Sequence, residues 1–274
     1  MLVAMAWRSA FVDTPGCQIP YLRTGGARPP LLLLHGYTDD GRCWTPVARY
    51  FEAQYDVIMP DARGHGESPE PRAPYSDSDQ ADDVLAFVRA LELRDLRVIG
   101  HSMGAVVGAL AASREPSRFH QLVLEDPPPR PGRVPRNPMG EAVQRASLKK
   151  LRSSRREALV ERCRRSEPAW SAEEVELWAD SKLKVSENVA WRFAAPLPRW
   201  DVALPELESP VLLLSGEPAR GALMHDGDLA HAAAQLRHGR TLRLAGAGHS
   251  VHRDRFDEYV RVVDEFLRAA RGSP

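Results

Sequence analysis

Six short apolar runs, Leu31 to Leu34, Val57 to Met59, Leu96 to Ile99, Leu122 to Leu124, Val211 to Leu214 and Leu242 to Leu244, are nearly free of polar residues. Runs this short and continuous predict strands buried on both faces, which requires a sheet covered by helices on either side. Helical patterns stand between them. From Asp79 to Leu93, the residues Ala81, Val84, Leu85, Val88 and Leu91 form one apolar stripe behind a polar start of capping type. Strand and helix alternating in this way predict an α/β fold with a mostly parallel sheet. The segment from Trp7 to Arg23 reads instead as an opening antiparallel pair that turns near Thr14-Pro15-Gly16. A length of 274 residues with 43% hydrophobic content suits one such domain carrying an insertion.

The insertion is visible as a break in rhythm. Between Pro127 and Pro210 no strand-like run occurs, and the stretch opens on Pro127-Pro128-Pro129-Arg130-Pro131-Gly132. The expected organisation is a first part of the core at 1–126, a helical insertion at 127–209 and a second part of the core at 210–274. Within the insertion, Arg145 to Arg165 holds nine Lys or Arg against two acidic residues, with Leu148, Leu151, Leu159 and Cys163 spaced for one buried helix face. Its charge reads as a solvated basic face, or as a patch guiding acidic substrates. Ser171 and Glu174 form a capping-box pattern ahead of Val175, Leu177 and Trp178, so a second helix is expected there. Trp170, Trp178, Trp191, Phe193 and Trp200 crowd the same region; most are expected to pack a thin helical layer, with one or two lining an apolar ligand pocket.

Chemistry concentrates after the third of the apolar runs. Gly100-His101-Ser102-Met103-Gly104 follows it directly, and Val106, Val107, Leu110 and Ala111 then recur at helical spacing. A G-x-S-x-G turn between strand and helix holds a serine in a strained conformation with its hydroxyl exposed, and leaves no room for a Cβ on the flanking glycines. A serine hydroxyl is a weak nucleophile at neutral pH and needs a base held in one tautomer. His249, in Gly246-Ala247-Gly248-His249-Ser250 between the last apolar run and a C-terminal helical pattern, is the expected base. His252 reads as an ordinary surface histidine. The oxyanion of a tetrahedral intermediate needs donors in place, expected to be the backbone N–H groups of Met103 and of Tyr37, in His35-Gly36-Tyr37.

Together these pieces resemble the α/β-hydrolase superfamily, and Asp61-Ala62-Arg63-Gly64-His65-Gly66-Glu67-Ser68 resembles its D-x-R-G-x-G-x-S segment. The resemblance implies an eight-stranded, mostly parallel sheet flanked by helices, a helical cap inserted after the sixth strand, and the chain order serine, acid, histidine. Many relatives carry the acid after the strand equivalent to Val211 to Leu214 as G-x-x-D, whereas Gly216-Glu217-Pro218 is followed here by Ala219. Asp126 closes the strand next to the nucleophile strand and can approach the histidine from the same sheet edge. A branch that includes the N-formylmaleamate deformylases and zearalenone lactonases resembles this arrangement, with an acid twenty-four positions beyond the serine, where Asp126 stands. That branch is also similar around Tyr37-Thr38-Asp39-Asp40-Gly41 and Asp126-Pro127-Pro128. Asp126 is therefore the expected acid, with Asp228, Asp226 and Glu125 as alternatives; Asp228 also suits the cap of a helix beginning at Leu229.

The implied activity is hydrolysis of an ester, amide, formamide or lactone through an acyl-enzyme. A serine at the elbow argues against dehalogenases and epoxide hydrolases of this fold, which use aspartate there. Carbon–carbon bond hydrolases share the triad, and some receptors of the fold have lost turnover. Neither the residues nor the resemblance implies a cofactor, and His225, Asp226, Asp228 and His231 lack a recognised metal-ligand spacing. Lys plus Arg equals Asp plus Glu at 37 each, so the expected partner is a small molecule rather than nucleic acid or a membrane. Three scattered cysteines fit reduced thiols and, with no signal-like or membrane-spanning run, a cytoplasmic protein.

Overall fold

The computed structural model describes residues 7–128, 140–194 and 200–269. In chain order its strands and helices are β1 (Arg8–Asp13), β2 (Gln18–Arg23), β3 (Pro30–Leu34), α1 (Thr45–Phe51), β4 (Asp56–Pro60), α2 (Asp77–Ala90), β5 (Leu96–His101), α3 (Met103–Arg114), β6 (Phe119–Glu125), α4 (Gly140–Arg152), α5 (Arg156–Ser166), α6 (Ala172–Lys184), α7 (Trp200–Ala203), β7 (Val211–Ser215), α8 (Asp226–Gln235), β8 (Gly239–Arg243), α9 (Val251–Asp254) and α10 (Phe256–Ala269). The eight strands form one sheet in the order β1-β2-β4-β3-β5-β6-β7-β8, in which β2 is antiparallel to both neighbours and every other pairing is parallel.

Alternation along each buried strand divides the core in two. Leu32, Leu34, Val98, Leu122, Leu124 and Leu213 face one layer with Leu85, Val88, Val106 and Ala109 of α2 and α3. Leu31, Leu33, Ile99, Val123, Leu212 and Leu214 face the other, against Val47 and Phe51 of α1 and Val263 and Leu267 of α10. The edges differ from the interior, and there the sequence reads less well. The strand expected at Leu242 to Leu244 is β8, which starts earlier because an edge strand tolerates Arg240 and Thr241. Helix α2 also starts before Asp79, because Ser76 accepts from the Asp79 N–H at 3.3 Å while Asp79 accepts from the Ser76 N–H at 2.7 Å.

Between β6 and β7 the described insertion is helical, as expected, but its basic segment is two helices rather than one. Helices α4 and α5 are interrupted at Ser153 and Ser154, so Leu148 packs with Tyr75 and Val189 while Leu159 and Cys163 pack with Val175 and Ala179. Among the described residues, five of the nine basic side chains meet carboxylates, including Arg145 with Glu141, Arg156 with Asp180 and Arg164 with Glu176, so much of this charge is neutralised locally. Pro129 to Gly132 of the proline-rich stretch lie outside the described residues. Trp200 belongs to the main core, where it packs in the α3 layer and donates to the Pro128 carbonyl at 3.0 Å. Among the described residues no helix is long and apolar enough to cross a membrane.

Candidate active site

Strand order reverses at β3, whose neighbours β4 and β5 lead away in opposite directions, so the loops after β3 and β5 open a crevice at the carboxyl ends of the strands. Ser102 stands there, between β5 and α3, with φ 52° and ψ −109°. Two glycines make that turn possible. A Cβ on Gly100 would lie 2.4 Å from the Gly104 carbonyl oxygen, and one on Gly104 would lie 2.1 Å from the Leu34 carbonyl oxygen. The turn is tied to the next strand by the Ser102 N–H, which donates to the Glu125 carbonyl at 2.8 Å.

His249 arrives from the loop between β8 and α9, and its Nδ1 lies 2.6 Å from Asp126 Oδ2. Asp126 is fully buried at the end of β6, with φ 39°. Its carboxylate also accepts from the Ser215 hydroxyl at 2.8 Å and from the Leu223 and Met224 N–H groups at 2.8 and 3.2 Å. The loop after β7 thus supplies main-chain donors to the carboxylate that follows β6. The alternatives are engaged elsewhere. Asp228 accepts from the His225 N–H at 3.0 Å in the first turn of α8, Asp226 pairs with Arg243 at 2.8 Å, and Glu125 lies against His252. His252 is not a surface residue: it is 1% exposed, with Nδ1 2.8 Å from Glu125 Oε1.

The loop after β3 brings Tyr37 to the same crevice. Neither the Tyr37 N–H nor the Met103 N–H donates to a carbonyl or side chain among the described residues, and Met103 opens α3, where the helix leaves its first amides unpaired. The Tyr37 carbonyl faces His65 Nε2 at 2.6 Å, and its ring meets Phe193 edge to face at 5.0 Å. Burial pushes the Tyr37 hydroxyl above its usual range, and burial with the neighbouring His35 draws His65 down to about 3. Asp61 secures the adjoining turn, accepting from the Gly41 and Glu67 N–H groups at 2.8 Å each. The D-x-R-G-x-G-x-S segment is accordingly structural here, with Arg63 paired to Asp83 at 2.5 and 2.6 Å.

A buried set of four charges joins this loop to the inserted helices. Lys182 of α6 donates to Asp39 at 2.6 Å and to the Thr38 carbonyl at 2.9 Å; Arg253 of α9 donates to Asp39 and to Glu174, both at 3.1 Å. Against the cost of burial, Arg253 and Lys182 hold Asp39 well below the usual carboxylate range, while burial raises Glu174 to about 7. Glu174 therefore forms only half of the expected capping box: its N–H donates to Ser171 at 3.1 Å, but its carboxylate is taken by Arg253. Alongside, the Cys43 thiol is buried against the Leu177 carbonyl of α6 at 3.7 Å. Sequence reading missed this set because its members are far apart in the chain; the only local signal was the pair Asp39-Asp40 shortly after the apolar run Leu31 to Leu34.

A family model described as alpha/beta hydrolase fold matches residues 29–195. The chain belongs to the α/β-hydrolase family. Among relatives of this α/β-hydrolase, the N-formylmaleamate deformylase of Pseudomonas putida is 30% identical over 263 residues, covering 93% of this chain and 95% of that protein. Uncharacterized proteins of Mycobacterium tuberculosis and Mycobacterium bovis are 33% identical over 102 residues, 37% of this chain, and the match spans only 30% of their length. The crystal structure of E-2-(acetamidomethylene)succinate hydrolase superposes with a TM-score of 0.81 at 22% identity, covering 96% of this chain and 100% of the other, a likeness of fold.

Proposed function

We propose that this α/β-hydrolase cleaves an ester, amide, formamide or lactone carbonyl through an acyl-enzyme on Ser102. The observation that carries the reading is the 2.6 Å contact between His249 Nδ1 and the buried Asp126 carboxylate, with the His249 carbonyl 3.0 Å from Nε2 of His101, the residue before a serine held at a positive φ between two sterically required glycines. Asp126 keeps the His249 proton on Nδ1, leaving the Nε2 lone pair as base. Ser102 Oγ bonds to the substrate carbonyl carbon as its proton passes to His249 Nε2, and the carbonyl oxygen becomes an oxyanion accepted by the Tyr37 and Met103 N–H groups. Collapse breaks the bond to the leaving group, which takes the proton from His249. Water then adds to the acyl carbon, gives its proton to His249, and Ser102 leaves with that proton. In this reading residues 127–209 are a cap over the crevice, with 1–126 and 210–274 forming the catalytic core. The identity to a deformylase over nearly the whole chain favours a formamide or related amide within the substrate class.

Intact-mass analysis after treatment with a fluorophosphonate tests the reading. One adduct on wild type and none on Ser102→Ala is the expected result, followed by turnover within a panel of formamides, esters and lactones. A folded wild-type protein that takes up no adduct would instead favour a ligand receptor of the same fold.

A further inference from the structure

Strand β6 ends at Glu125 and a second acid, Asp126, follows it directly; the proposed reaction uses only the second. Successive strand residues point to opposite faces, so Glu125 shares the face of Val123, toward the layer of α1 and α10. Its Oε1 accepts from both the main-chain N–H and the Nδ1–H of His252, at 3.1 and 2.8 Å. His252 lies in the first turn of α9, three residues beyond His249. Glu125 therefore holds both partners of the reaction at once, the nucleophile turn through its carbonyl and the base loop through its carboxylate.

A second tie runs beside it. His101, the residue before the nucleophile, has its Nε2 3.0 Å from the His249 main-chain carbonyl, and its ring centroid lies 4.6 Å from that of His249 and 5.1 Å from that of His252. A carbonyl oxygen only accepts, so His101 carries its proton on Nε2 and donates. His101 is 3% exposed, Glu125 0% and His252 1%. Burying one carboxyl and two imidazoles costs free energy that apolar side chains in the same space would not. Asp126 orients the His249 ring but leaves open where its main chain stands. The His101 and Glu125 contacts fix that main chain relative to Ser102.

We propose that His101, with the Glu125–His252 pair, positions the catalytic base, acting through the His249 backbone rather than on substrate. The inference rests on the triad reading given above. Its test is the kinetics of fluorophosphonate labelling on the full chain, resolved into a maximal rate and a half-saturating concentration, for wild type, His101→Leu and His101→Gln. A Gln amide nitrogen can stand close to Nε2 and donate to the same carbonyl. A misplacement near 1 Å costs about 10²-fold in rate, so His101→Leu is expected to lose about that much in maximal rate with its half-saturating concentration unchanged. His101→Gln is expected to recover roughly tenfold of the loss. Should His101→Leu fail to melt cooperatively, His101→Asn, whose shorter amide falls short of the His249 carbonyl, replaces it in the comparison. Labelling of His101→Leu at the wild-type rate, or of His101→Gln no faster than His101→Leu, would overturn the inference and leave the triad standing. Absence of any adduct on wild type would overturn both.

Discussion

Asp126 accepts from four donors, and that number decides what its loss should do. His249 loses an acceptor in Asp126→Asn, and the amide also faces main-chain N–H groups that require an oxygen. The expected result is a fall in kcat on the order of 10⁴ with a cooperative melt retained, while Asp228→Asn, which keeps an acceptor for the His225 N–H, leaves kcat unchanged. The same two variants decide between Asp126 and Asp228, two of the four acids the sequence left open. Gly104→Ala is a second residue-scale case: its methyl would meet main-chain atoms of β3, which cannot move aside as a side chain would. Urea denaturation should show a loss of about 3 kcal/mol or more. Ser102 and its glycines were legible in the sequence because the constraint is local, five residues between a strand and a helix.

Contacts between elements were far less legible. Asp39 meets Lys182 across 143 positions and Arg253 across 214, and nothing in a helical pattern announces such partners. Ser171 and Glu174 show how a local pattern misleads: the spacing was right for a capping box, and a distant guanidinium took the carboxylate. Read for its energetics, the buried tetrad is balanced only when complete, since removing one partner leaves an uncompensated charge in the interior. Lys182→Met should destabilise the fold by roughly 3–5 kcal/mol, measured by chemical denaturation, and Lys182→Met with Asp39→Leu should recover part of that loss. A single variant no less stable than wild type would show that the tetrad does not hold α6 to the β3 loop.

At the scale of the whole molecule, buried titratable groups set the response to pH. Burial holds His65 and His101 down to about 3, and His252 well below its ordinary range. The unfolded chain takes up protons near 6.5 that the folded chain refuses, so the stability of neutral histidine burial is complete above that pH and is lost as pH falls below it. Glu174 has the opposite sign: raised to about 7, its contribution is complete at low pH and is lost as pH rises through neutrality. Asp40, Asp83, Glu125 and Glu167 are raised by burial as well and oppose the histidines, so the histidine part is read by difference: His65→Gln should reduce the rise of the urea midpoint with pH between 4.5 and 6.5 relative to wild type. The same pH dependence in His65→Gln and wild type would contradict the buried neutral state of His65. The sheet and its helical layers were legible at this scale because apolar continuity marks strands buried on both faces; β8 was misplaced because an edge strand carries no such mark. His252 was misread because its burial depends on Glu125, on a strand 127 positions earlier.

The Cys43 thiol, closed in beneath α6, turns the junction between core and inserted helices into a clock. Burial and the nearby Asp39 raise its pKa, and only the thiolate reacts, so a maleimide has no route to it while α6 is seated. Each alkylation of Cys43 therefore records one departure of α6 from the core. The modification rate, read by mass spectrometry under native conditions, reports how readily α6 leaves the core.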